Sequence, residues 1–95
     1  MREKIIKLNV LNLRDLKTKY ITATYNKKKY KFCCFGLIID NELVFECAIC
    51  DKKITKIIYP NSLYKRFVYE LVIKQWFMDN KGCSLNDTSN IKFEK

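Results

Sequence analysis

Three short polar breaks divide the middle of the chain, and they constrain its fold more than any other feature. "YITATYNKKKYKFCCFGLII" is two β-rich runs joined at Asn26–Lys28, "IIDNELVF" turns at Asp40–Asn41, and "DKK" at 51–53 precedes the alternating run "ITKIIY". Asn and Asp accept the left-handed backbone that tight hairpin turns demand. Alternating runs rich in Val, Ile, Tyr and Phe between such turns read as antiparallel strands. "KIIKLNV", with Ile6, Leu8 and Val10 on one face, is expected as a further strand, and "NLRDLKTK" as one short helical turn with Asn12 as its cap. The expectation is an antiparallel meander of about five strands.

The period then changes. "YPNSLYKRFVYELVIKQWFMDNKG" opens on Pro60, Asn61 and Ser62 and closes on Asn80 and Gly82, which predicts one helix over about 62–79. At 100° per residue it carries two apolar stripes, Tyr64, Phe67, Val68, Leu71 and Met78 on one side and Tyr69, Ile73 and Trp76 on another. A helix lying on one sheet needs one stripe. The second requires intramolecular cover or a partner, and Tyr69, Ile73 and Trp76 are therefore a candidate protein interface or homodimer surface. The fold class is α+β, a meander packed against one C-terminal helix. Its 95 residues form a single domain, 1–95, too short for a second core.

Five cysteines include one C-x-x-C, Cys47 and Cys50, in "FECAICDKK". A zinc-stabilised domain is an alternative, but there is no histidine and no second C-x-x-C among Cys33, Cys34 and Cys83. Taking Asp40–Asn41 as a two-residue loop, opposed residue numbers sum to 81. Cys34 then faces Cys47 in the core, while Cys33 and Cys50 point to the other face. A slip of one residue would bury Glu46 and Glu42, which argues against it. In a continuous strand Cys47 and Cys50 lie on opposite sides of the sheet and share no metal. No metal or cofactor is expected.

The absence of histidine excludes Ser-His and Cys-His nucleophile pairs, and Gly36 and Gly82 stand alone instead of forming a phosphate loop. The expectation is a non-enzyme. Neither a membrane-spanning run nor a secretory leader is visible, so the protein is expected in the cytoplasm with reduced thiols.

The net charge is +9, distributed unevenly. Residues 1–31 carry ten Lys/Arg against two acids, residues 32–51 four acids and no Lys/Arg, and residues 52–83 seven Lys/Arg against two acids. This pattern suggests an anionic partner. The richest candidate is the tip Tyr25, Lys27, Lys28, Lys29, Tyr30 and Lys31, with lysines for phosphates and rings for stacking. Lys52, Lys53 and Lys56 extend it from the next turn at the same end of the sheet. The bland reading is that lysines at exposed turns keep edges soluble. The functional expectation is a small basic binding protein that engages nucleic acid or a nucleoprotein complex. Its size, its AT-rich coding bias and the lack of a catalytic motif also fit a phage or mobile-element accessory protein, such as an inhibitor of a host defence nuclease.

Overall fold

The structure, a computed structural model, describes residues 17–59 and 66–94. The strand expected at 4–10, the helical turn at Asn12, the helix-opening residues 60–65 and Tyr64 lie outside the described residues.

Four strands form the expected meander: β1 (Lys17–Tyr25), β2 (Lys28–Ile39), β3 (Glu42–Cys50) and β4 (Lys53–Ile58). A helix follows, α1 (Tyr69–Lys81), then a 3-10 turn at Asp87–Asn90 and a short strand, β5 (Lys92–Phe93). The sheet order is β4-β3-β2-β1-β5, antiparallel throughout. The fifth described strand thus comes from the tail, where Ala23 faces Phe93 and the Glu94 amide donates to the Thr22 carbonyl at 2.9 Å.

All three hairpins close on two residues with positive φ: Asn26 and Lys27 (50° and 64°), Asp40 and Asn41 (51° and 63°), Asp51 and Lys52 (51° and 64°). Such turns match the right-handed twist of the strands they join. Only the middle turn has Asn at its second position; the outer two place Lys there.

The β2–β3 register departs from the expectation. Ile39 faces Glu42 and Ile38 faces Leu43, but a bulge follows, and beyond it Leu37 faces Phe45, Gly36 faces Glu46, and Cys34 faces Ala48. Opposed numbers change from a sum of 81 to 82, so Cys34 does not meet Cys47. Cys50 shares the core face with Cys34, and Cys47 faces away, on the side of Cys33. The bulge leaves Glu42 exposed and takes Glu46 in, with no accessible surface.

A buried carboxylate is tolerated when its oxygens are hydrogen-bonded. Glu46 accepts from the Tyr59 hydroxyl at 3.0 Å and from the Val68 amide. These two donors flank the connection from β4 to α1, so one side chain pins both of its ends. Gly36, opposite, makes room: Phe67 packs where a Cβ would be, and Tyr69 stacks on Phe67 at 5.3 Å. Burial still pushes the Glu46 carboxyl above its ordinary range, against the lowering by its two hydrogen bonds.

The described helix opens at Tyr69; Phe67 and Val68, inside the expected range, are not helical, and Val68 has φ −129° and ψ 62°. It ends near the expected stop, on Gly82 in the left-handed conformation (φ 68°), whose amide donates to the Phe77 carbonyl. The core stripe is Tyr69, Val72, Ile73, Trp76 and Phe77, at i, i+3, i+4, i+7 and i+8, all buried. It rests on Ala23, Tyr30, Phe32, Cys34, Ala48 and Cys50 of the sheet. Trp76 meets Phe32 edge-on at 5.0 Å and donates its Nε1–H to the Lys53 carbonyl at 3.0 Å.

Candidate nucleic-acid interface

In a meander the first and third turns lie at the same end of the sheet. Asn26–Lys27 and Asp51–Lys52 are therefore neighbours, two strand spacings or roughly 10 Å apart. The middle turn, with Asp40 and Glu42, lies at the opposite end, while Asp51 stays beside Lys52 at the lysine-bearing end.

Side-chain alternation sorts the lysines. Lys27 and Lys52 sit at the turn tips and are exposed. Lys28 and Lys53 share the side of the sheet that α1 covers, since they alternate with the inward Tyr30 and Thr55. Lys29, Lys31 and Lys56 take the opposite face, Lys56 opposite the outward Cys47. Both subsets flank the same turns, so the tip brings its lysines to one end and divides them between two faces. Lys29 is also paired, with its Nζ 3.4 Å from Glu94. Within about a Debye length, roughly 8–10 Å, such neighbouring charges reinforce one another toward an anion.

One cation at this end was absent from the sequence reading. α1 runs so that its C-terminus meets the turn end, and Lys81 Nζ lies 5.6 Å from the Tyr30 ring centroid and 5.9 Å from that of Trp76. Lys28 Nζ approaches Tyr30 as well, at 5.2 Å. The signal was present: a lysine immediately before the stop glycine of a helix that must pack back on the sheet.

The tyrosines of the tip do not serve as expected. Tyr30 is buried, packed edge-on against Phe77 at 4.9 Å. Tyr25 is half-buried, 5.4 Å from Phe77. Both lie on the inner face, where rings complete the core, and Tyr30 holds cations without presenting an open stacking surface.

The helix stripes also exchange roles. Tyr69, Ile73 and Trp76, expected as a partner surface, are buried within the chain against the sheet. The stripe expected to be core is the more open one, with Leu71 exposed and Phe67, Val68 and Met78 half-buried. The reason is that Phe67 and Val68 stand outside the helix, so the stripe's axis is set by Val72 and Phe77.

Cys47 and Cys50, on opposite faces, cannot form one half-site, and among the described residues no group of three or more Cys, Asp and Glu could hold a metal ion. Burial pushes the Cys34 thiol up to about 12 and the Cys47 thiol up to about 11, far from nucleophilic range. A shallow cleft of about 340 Å³ beside the start of α1 mixes Lys19 and Arg66 with Glu70 and does not concentrate one charge. Among the described residues no helix is long and apolar enough to cross a membrane.

No family model matches the sequence, and comparison with curated proteins and with solved structures returns no significant match. The site is read from its chemistry.

Proposed function

We propose that this is a small, non-enzymatic binding protein whose lysine-bearing turn end engages nucleic acid, free or within a nucleoprotein complex. One observation carries the reading: Lys27 and Lys52 occupy the left-handed second positions of two adjacent turns, where glycine is the favoured residue. A non-glycine residue there costs roughly 1–2 kcal/mol. Holding lysine at that cost in both turns of one end, while the far turn carries Asn41, supports a use for the charge. Lys28, Lys53 and Lys81 flank the same end. A cytoplasmic setting with reduced thiols is part of this reading.

The test is binding of labelled single- and double-stranded oligonucleotides at low salt. The wild-type protein binds, and a variant with Lys27, Lys28, Lys52 and Lys53 replaced by Ala loses most of that affinity while keeping its melting temperature. Absence of binding by the wild type at low salt contradicts the reading.

A further inference from the structure

The sheet has two faces, and α1 covers one. On the other, the ladder registers align Tyr20, Cys33, Ile49 and Ile54 in one cross-strand row. Thr18, Phe35, Cys47 and Lys56 form the next, and Leu37, Phe45 and Ile58 a third. The face is open at Tyr20 (79% exposed), Ile54 (59%) and Ile58 (51%), half-buried at Phe35 and Phe45, and closed beneath them at Leu37 and Cys47. An apolar face of this extent on a small domain marks a contact surface.

Its rings are ordered. Tyr20 is on β1, Phe35 one row further on β2, and Phe45 a further row on β3, so the three rings fall on one diagonal. Diagonal neighbours on adjacent strands are roughly 7–8 Å apart. The cations on this face follow the same direction. Lys31 on β2 stands opposite Thr22, one row before Tyr20, and Lys56 on β4 stands two rows and two strands further. The Lys31–Lys56 line therefore runs parallel to the ring diagonal, displaced by roughly 8 Å at the backbone from strand and residue spacings. Lys56 Nζ already lies 5.7 Å from the Phe45 centroid. Among the described residues, the carboxylates on this face stand at its margins: Glu42 opposite Ile39 at the middle-turn end, and Glu94 on the β5 edge, paired with Lys29.

A row of rings beside a parallel row of amines matches the two needs of a single strand, base faces to stack and phosphates to neutralise. A duplex has its base faces already stacked, about 3.4 Å apart along each strand. The wider ring spacing takes splayed bases, one per ring, as aromatic sheet platforms do. A second copy of this chain fits the apolar face but brings Lys29, Lys31 and Lys56 against like charges.

We propose that this face is a base-stacking platform for single-stranded nucleic acid, with bases on Tyr20, Phe35 and Phe45, phosphates along Lys31 and Lys56, and the turn-end lysines continuing the track. The proposal rests on the nucleic-acid reading above.

It is tested by fluorescence anisotropy with fluorescein-labelled oligo(dT) and oligo(U) decamers and a ten-base-pair DNA duplex. Tyr20→Ala weakens decamer binding roughly 5- to 150-fold, the range for loss of one stacked base, with the salt slope unchanged. Tyr20→Phe retains binding, and duplex binding does not respond to either change. Phe45→Leu, which keeps the site filled, weakens the decamers in the same way at a melting temperature near the wild-type value. Lys31→Ala instead lowers the salt slope by about 0.7. Wild-type decamer affinity in both Tyr20→Ala and Phe45→Leu overturns the platform. If the turn-end lysine variant still loses binding in that case, the broader reading survives. Duplex binding without decamer binding overturns the platform alone, and no binding of either overturns both. A wild-type dimer that Tyr20→Ala dissociates assigns the face to a second copy and refutes the proposal.

Discussion

Replacing Lys27 and Lys52 together by Gly separates what these residues do for the fold from what they do for a partner. Both have φ of 64°, in the left-handed region, at the second position of a two-residue turn. Relief of that conformation is worth about 1–2 kcal/mol per site. The extra chain entropy of Gly takes back about 0.5–1 kcal/mol. The net gain is about 0.5–1 kcal/mol per site, or about 1–2 kcal/mol for the pair. For a domain of this size that raises Tm by roughly 4–16 °C. The same change deletes two exposed charges, which lowers the salt slope of single-strand binding by about 1.4. Calorimetry and anisotropy titrations on one preparation read both quantities. Asn41→Gly, at the far turn, is the control: Asn already tolerates φ of 63°, so its gain is smaller and binding is unchanged. A Gly pair that melts lower than the wild type, or binds with an undiminished salt slope, refutes the reasoning.

Two further substitutions probe the region that seats α1. Gly36→Ala places a Cβ 2.6 Å from the Phe45 carbonyl oxygen and 2.9 Å from Phe67, although its backbone is not left-handed. Glycine in a strand is usually improved by Ala, whereas here the overpacking costs about 1–3 kcal/mol, and a Tm at or above the wild-type value contradicts the stated packing. Glu46 titrates from a raised native value, so below its ordinary 4.5 the burial penalty is absent, and stability falls as pH rises from there through the native value. Glu46→Gln lacks this dependence. The difference in Tm, variant minus wild type, therefore becomes more positive between pH 4 and pH 7, and a difference that shrinks would show that the carboxylate is not penalised.

The parts of the fold written in neighbouring residues were legible in the sequence. The paired polar turns, the strand alternation, the helix stop at Gly82 and the placement of Cys47 and Cys50 on opposite faces all follow from periodicity and turn chemistry. The misplaced parts depend on distant groups. The 81-sum register was preferred because a slip would bury Glu46, yet Glu46 is buried, satisfied by donors from Tyr59 and Val68 that no local pattern announces. A bulge between Leu37 and Ile38 lets Glu46 enter while Glu42 stays out, a compromise that a uniform register does not contain. The helix start depended on the same contact, and with it the choice of stripe. Of the candidate site, the convergence of the two lysine turns followed from meander geometry. Lys81 and the outward diagonal of Tyr20, Phe35 and Phe45 required the packing of α1 and the post-bulge register.

The account's central claim is that the turn-end lysines contact phosphates, and the salt dependence of single-strand binding tests it most directly. Each contact contributes about −0.7 to the slope of log affinity against log salt. The wild-type protein is expected to show a slope near −4 or steeper, and the variant with Ala at 27, 28, 52 and 53 to lose about 3 units of it. Equal slopes for the two proteins would show that these lysines touch no phosphate and would contradict the account.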